Sequence, residues 1–438
     1  MKKYFISGAM LAGLMSLAAC SNDEGVVADN NGAEQQFTIT LASSGDRATR
    51  AAADRTLESE AAGQSIEKVT LVVRSQDDNK VVYIHTLDNW NGTATDYDTN
   101  GHGKKLTFTI PKADKLGEGK YVVTAVGYNE GNYNLKLPAK GDVVDKNITA
   151  ITPADAEAKE VFAGERKFNV AADKKIEGTD ASKAIQSVDV TLHRQVAGAY
   201  GYFTSIPAKI GDTDVASIRM VSRSKNTVLT FGSFNRSFTT TDANVMYMVN
   251  GSVPAGKTAK FLNGDEANVL FSAKITDWFP GGDKNNDGVY DNKDTNWTQH
   301  YTGSYLKGSV FASNFIVPFS ATKGKSTLEL QLLDAKGNVL YAWPVKLDAS
   351  NDQIGKTGET ASADLFNAGT AMGFAETADV FSLFRNHIYS IGIHKQGTTN
   401  PDKTEPGTDQ PTDLSKIQNV VIRVNDNWEA LHHMSIDD

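Results

Sequence analysis

Cys20 is the one cysteine in a chain of 438 residues, and its setting gives it a chemistry. Lys2 and Lys3 form a basic head, Phe5 to Leu17 a short apolar stretch, and Leu17-Ala18-Ala19-Cys20 a box of small residues. That order is the export signal of a bacterial lipoprotein, cut so that Cys20 becomes the lipidated first residue. Ser7, Gly8 and Gly13 interrupt the apolar run and leave it too short for a bilayer span. The bland reading of the same residues is a buried apolar helix. With Cys20 committed, no thiol remains for a disulfide, a metal or a nucleophile.

A second chemistry lies downstream. Arg47, Arg50 and Arg55 are spaced among Ala48, Thr49, Ala51, Ala52 and Ala53, a loop of small residues that suits a trypsin-like protease. Arg50, followed by three alanines, is the favoured bond, with Arg47 and Arg55 as alternatives. Just before the loop, Gln36-Phe37-Thr38-Ile39-Thr40-Leu41 alternates, with Phe37, Ile39 and Leu41 on one face of an extended strand. Cleavage would cut that strand out of the domain it belongs to.

Two further motifs invite ligands. Asp283, Asn285, Asp287, Asp291 and Asp294 fall at positions 1, 3, 5, 9 and 12 of a calcium loop, with Gly288 at position 6. An acidic surface turn is the competing reading, since helical flanks are missing and the last ligand is Asp rather than Glu. No cofactor is required, and Ca²⁺ is the one ion the pattern could take. Gly251-Ser-Val-Pro-Ala-Gly256-Lys257-Thr258 has phosphate-loop spacing, but Pro254 sits within it and Asn263-Gly264 breaks the helix that should follow. It reads as a hairpin loop.

Catalysis finds no support. The eight histidines are scattered, with no His-Glu-x-x-His spacing, and no Gly-x-Ser-x-Gly elbow occurs. His387 falls in a strand-like segment and reads as packed. Trp90, Trp278 and Trp297 lie near loops and could stack on sugar rings, or simply fill a core. A net charge of −9 speaks against nucleic acid and anionic membrane surfaces. The chain is not expected to be an enzyme.

The elements that must carry these residues are strands. A period of two runs through Val69–Val73, Lys105–Ile110, Tyr121–Val126, Ser187–Leu192, Thr227–Phe231, Ser326–Leu332 and Val339–Leu347. Asn91-Gly92 and Lys336-Gly337-Asn338 supply hairpin chemistry between such runs. Only Pro153–Phe162 and Ala361–Phe366 look helical, so the class is all-β and mainly antiparallel. Length argues for two domains. The divisions expected are a signal over 1–19, a segment with the removable strand over 20–50, β-domains over 51–183 and 184–396, a linker over 397–413 and terminal strands over 414–438. Residues 165–184 read as the passage between domains, and Pro401, Pro406 and Pro411 mark the linker.

Behind that linker, Val420, Ile422 and Val424 share one face of a strand, with Trp428 beyond. A lone strand needs a sheet to join. It could fold back as an edge strand of its own domain, or join another molecule.

The lipid box, the early strand, the arginine loop, Ser65–Val73, Leu192-His193-Arg194-Gln195-Val196-Ala197, Arg385–Ile393 and the Trp-containing terminal strand occur in an order that resembles the fimbrillins of type V, Bacteroidales-type pili. The resemblance spans essentially the whole chain. It implies two transthyretin-like antiparallel β-sandwich domains in tandem with a terminal donor-strand segment. It also implies lipoprotein export and lipidation, an outer-membrane anchor before processing, and cleavage by an Arg-specific protease. Polymerisation with other copies of itself or related subunits would follow, Phe37, Ile39 and Leu41 being excised and Val420, Ile422, Val424 and Trp428 donated. The reading is a structural subunit of a cell-surface pilus that supports adhesion. The alternative is a surface glycan-binding lipoprotein or a pilus-tip adhesin.

Overall fold

A computed structural model describes residues 34–41, 66–96, 104–131, 133–144, 149–153, 158–177, 187–226, 229–231, 259–301, 305–319, 326–347, 379–383, 388–392, 394, 410–415 and 420–425. The chain is all-β. The strands up to the middle are β1 Gln36–Leu41, β2 Lys68–Ser75, β3 Val81–Leu87, β4 Thr95–Asp96, β5 Lys104–Thr109, β6 Gly119–Tyr128, β7 Tyr133–Lys136, β8 Thr149–Pro153, β9 Phe162–Val170, β10 Ile176–Glu177 and β11 Val188–Arg194. Beyond them come β12 Ala197–Thr204, β13 Ile206–Pro207, β14 Lys209–Ile210, β15 Thr213–Asp214, β16 Ser217–Ser222, β17 Leu229–Phe231, β18 Ala259–Lys260 and β19 Glu266–Lys274. The last are β20 Val289–Tyr290, β21 Ser309–Ile316, β22 Leu328–Leu333, β23 Val339–Leu347, β24 Ile388–Ile391, β25 Thr412–Asp413 and β26 Val420–Asn425.

Two large sheets contain most of these strands. The first runs β3-β2-β6-β9-β11-β1-β5-β4, with β10 beside β9; the second runs β18-β19-β16-β22-β23-β26-β24-β12-β21, with β25 beside β12. Each folds over so that its distant wings meet. Phe108 of β5 stacks on His85 of β3 at 4.2 Å, although these strands lie far apart in the sheet order. Phe203 of β12 and Phe271 of β19 approach to 6.5 Å in the second.

The apolar pattern explains the layering. In β2, Val69, Leu71 and Val73 enter the main core of the first sheet, while Val72 packs on the other face with Val81. A strand buried on both faces needs a continuous apolar run, which Val69 to Val73 supplies apart from Thr70. Thr70 is itself buried, with its hydroxyl 3.0 Å from that of Thr86.

Several sequence expectations change here. The first sheet includes β11, so the passage between halves falls at Gln195–Val196 and not at 183/184. The physical reason is that β11 is needed to pair β1 on one side and β9 on the other. Residues 165–170 are likewise the second part of β9, a strand inside the sheet, and no linker. Glu165, Arg166 and Lys167 mimic a loop because they line its more exposed stretch. Asn91-Gly92 sits in a helical turn, Trp90–Thr93, entered through Asn89 at φ 53°, and makes no hairpin. Within Pro153–Phe162 the described ends are strands, and Ala158 makes a β-bridge to Phe315. The turn at Lys336-Gly337-Asn338 does form, with Gly337 at φ +84° and the Asp334 carboxylate accepting the amides of Lys336 and Asn338.

The halves are packed together. β7 and β8 of the first half form a small sheet with β17 of the second, and Val126, Tyr133, Ala158, Val161 and Ala163 contribute to the second core.

Candidate functional site

β1 lies inside the first sheet and is bonded on both sides. It runs antiparallel to β5, pairing Phe37 with Phe108 and Ile39 with Leu106, and parallel to β11, pairing Phe37 with Val188 and Ile39 with Val190. Both rows extend through Leu41, which pairs with Lys104 and Leu192. Phe37 and Ile39 are fully buried, and the Phe37 ring meets Phe168 edge-on at 5.5 Å. Burying each such side chain is worth about 1.5–3 kcal/mol. On the outer face the Thr38 hydroxyl lies 2.9 Å from that of Thr107 and donates to Ser187 Oγ at 3.1 Å. The inside and outside assignments of the sequence pattern therefore hold for Phe37, Thr38 and Ile39.

Gln35, one residue ahead of β1, is a feature that the alternation did not flag. Its side chain is fully buried, and its amide donates to the carbonyls of Leu116 and Lys174, both at 3.0 Å. Its Oε1 accepts the Leu116 N–H at 2.8 Å, and its own carbonyl accepts the Ile110 N–H at 2.8 Å. A buried amide with every role filled fixes position along a strand as well as depth.

β26 is the second interior strand. It runs parallel to β23, pairing Val420 with Val345 and Ile422 with Leu347, and antiparallel to β24, pairing Arg423 with Ser390 and Asn425 with Ile388. Val420 is fully buried. The terminal segment thus folds back onto its own half, as an interior strand where the sequence allowed an edge strand. Among the described residues each β26 residue has a ladder partner on one side only: β23 for Val420–Ile422, β24 for Arg423–Asn425. β26 joins the β22–β23 wing to the β24–β12 wing.

The acidic loop satisfies itself. Asp283 accepts the amides of Asn286 and Gly288, Asn285 that of Asp287, Asp287 that of Val289, and Asp291 that of Lys293. Asp294, fully buried, accepts the amides of Lys284 and Asp291. The Lys293 ammonium lies 2.8 Å from Asp287 and 3.2 Å from Asp291. Its hydrogen bond holds the Asp287 carboxyl below the usual range. Among the described residues no three His, Cys, Asp or Glu side chains converge as a metal site. The carboxylates point at backbone N–H groups because Asn286 and Gly288, at φ 58° and +87°, curl the loop into tight turns. The five oxygen ligands of the spacing thus serve here as caps of the loop's own backbone turns.

The tryptophans are mostly enclosed. Trp90 and Trp278 are at most 1% exposed, and half-buried Trp297 donates its Nε1–H to the Ser309 carbonyl at 2.8 Å. Residues 1–25 with Cys20, the loop with Arg47, Arg50 and Arg55, residues 251–258, 361–366 and His387, and Trp428 lie outside the described residues, as do the side chains of Leu41, Ile422 and Val424. No described helix is long and apolar enough to cross a membrane.

The Leu192–Ala197 motif proves to be the joint between halves. Arg194 Nε donates to Glu160 Oε1 at 2.7 Å, both side chains almost wholly enclosed, and the Gln195 backbone N–H donates to the Val161 carbonyl at 2.8 Å. Burial pushes the Glu160 carboxyl up and the Arg194 guanidinium down, each opposed by the other's charge. Sequence showed Arg194 in its motif but gave no sign of Glu160, which is 34 residues earlier.

No protein-family model matches this sequence, and no curated protein is similar to it. In structure the chain is similar to a protein described as a candidate adhesin from Bacteroides ovatus, at 9% identity, TM-score 0.38, over 82% of this chain and 88% of that one. It is also similar to a candidate polysaccharide-binding protein from Bacteroides thetaiotaomicron, at 11% identity, TM-score 0.35, over 82% and 91%. The fimbrial anchor protein Mfa2 from Porphyromonas gingivalis is a third, at 10% identity, TM-score 0.34, over 90% and 97%.

Proposed function

We propose that this chain is a structural subunit of a cell-surface pilus, exported as a lipoprotein through Cys20, cut after Arg50 and joined to its neighbours by strand exchange. The observation that carries the reading is β1, an interior strand laddered on both sides and followed by a chain segment bearing Arg47, Arg50 and Arg55. Its excision would unpair one edge each of β5 and β11 and expose the positions facing Phe37 and Ile39. Such a groove is costly to leave open, because buried apolar area and backbone partners are lost together.

β26 of another copy is the occupant that we assign to it. In its own half it lies between β23 and β24. In the vacated groove it would lie between β5 and β11, and Val420, Ile422 and Val424 would take the inward positions. A head-to-tail contact of this kind does not close, so it builds a filament. Each half of the chain then serves as one transthyretin-like sandwich, and the partners are other copies or related subunits, the lipoprotein machinery and an Arg-specific protease.

Of the three tryptophans that the glycan-binding and tip-adhesin reading offers, Trp90 and Trp278 are enclosed and Trp297 is half-buried. N-terminal sequencing of protein recovered from the cell surface tests the proposal. Filament protein should start at Ala51, and Cys20→Ala should leave unlipidated precursor. Filaments whose subunits still start at Cys20 would overturn it.

A further inference from the structure

Apolar alternation cannot set the register of a strand that enters the β1 groove. A slip of two residues returns every side chain to the same face, so Val420, Ile422 and Val424 would fit almost equally well in neighbouring registers. Something chemically unlike the knobs must choose. The socket occupied by Gln35 is such a device. It offers the Leu116 carbonyl, the Lys174 carbonyl and the Leu116 N–H, two acceptors and one donor, to a single buried side chain. A primary amide answers that set, whereas a carboxylate has no proton for the two carbonyls and a methyl group answers none of it.

The two segments that form the socket lie outside β1. Leu116 belongs to the connection from β5 to β6 and is itself buried. Lys174 belongs to the turn between β9 and β10, closed by Lys174 N–H to the Ala171 carbonyl at 2.8 Å and Ala171 N–H to the Lys175 carbonyl at 2.9 Å. Lys174 has φ 65°, a conformation uncommon for a residue with a side chain, which aims its carbonyl at the incoming amide. Loss of β1 leaves three backbone groups with no partner from that strand, and unpaired buried groups of this kind carry a cost.

The sequence holds a matching key. Gln35-x-Phe37-x-Ile39-x-Leu41 has its counterpart in Gln418-x-Val420-x-Ile422-x-Val424, with the amide two residues ahead of the first knob in both. We propose that the Gln35 socket is a register-reading site for an amide and that Gln418 of a second copy fills it when β26 replaces β1. This rests on the strand-exchange reading. It adds the residue that selects one register from a degenerate set and makes a carboxylate at the same place a poor donor.

The test reads register directly. Superposing the two patterns puts Val421 where Thr38 stands, beside Thr107; a two-residue slip would bring it beside Lys105 or Thr109 instead, the partners of Thr40 and Gln36. Full-length acceptor chains carrying Cys20→Ser with Thr107→Cys, Lys105→Cys or Thr109→Cys are cut with an Arg-specific protease. They are then mixed under mild oxidation with full-length donor carrying Cys20→Ser and Val421→Cys. Disulfides are quantified by mass spectrometry. The expected result is bonding to position 107 in large excess. Gln418→Ala or Gln418→Glu should cut that preference roughly tenfold, the equivalent of one to two lost hydrogen bonds, while Asn419→Ala leaves it unchanged. Should Gln418→Ala keep the same single register, the amide is not the selector and the proposal falls while strand exchange stands. Should no position bond to the donor at all, strand exchange itself fails and takes the proposal with it.

Discussion

β1 and β26 both sit in a sheet interior beside one parallel and one antiparallel neighbour, yet they are secured differently. β1 is paired through Phe37–Leu41 on both sides, with Phe37 and Ile39 enclosed and Gln35 clamped ahead of it. β26 is paired to β23 over its first half and to β24 over its second, with no described residue paired to both. A strand bonded on both sides must break two ladders to leave, whereas the described bonds of β26 pass from β23 to β24 as a relay.

Deletion gives the largest contrast. Removing residues 34–41 should strip the first half of an interior strand and leave it aggregating unless a donor is supplied. Removing 420–425 should lower the melting temperature of the second half, because β26 links β23 to β24, and leave the first half intact. Circular dichroism melts with size-exclusion chromatography read both; a first half that stays soluble and cooperative without β1 and without donor would break the comparison.

Point changes should follow the same order at smaller scale. Phe37→Ala removes a fully enclosed ring and should cost about 3–5 kcal/mol in denaturant unfolding. Val420→Ala, a smaller side chain, should cost less, within about 1.5–3 kcal/mol. Equal or reversed costs would place the tighter strand at the other end of the chain.

Hydrogen exchange sharpens the distinction without mutation. In the uncut monomer the amides of Phe37–Leu41 should open only with the first half as a whole, and those of Val420–Asn425 by local opening, at least about tenfold faster. Uniform protection across both strands would mean that the relay pairing does not loosen β26.

The acidic loop should give the smallest response. Asp287 is on the surface, and Asp287→Ala should change stability by no more than about 0.5 kcal/mol. Calcium and chelator should yield the same protease sensitivity between Gly281 and Trp297. Protection by calcium would restore the ion site that the spacing suggested.

Which parts of this were readable beforehand depends on the range of the interaction. Alternation at Phe37-Thr38-Ile39 assigned inside and outside correctly because side-chain direction in a strand is local geometry. Gly337 was readable for the same reason, as Lys336-Gly337-Asn338 needs only its own residues to turn. Asn91-Gly92 was misread because the same dipeptide tolerates a helical turn, here one whose first residue, Trp90, bonds its backbone N–H to the distant Glu67 carbonyl. For the acidic loop, spacing reports which oxygens are near, while the turns decide where they point.

By itself the sequence determined the strand class and, at β1, which residues face inward. Only the tertiary structure decided that β11 pairs with β1, that β26 is interior, that Glu160 meets Arg194, and that Gln35 is held by Leu116 and Lys174, 81 and 139 residues away. The reason is physical: face preference is encoded residue by residue, whereas strand order and buried polar partners emerge when distant segments compete for the same edges and the same unpaired groups.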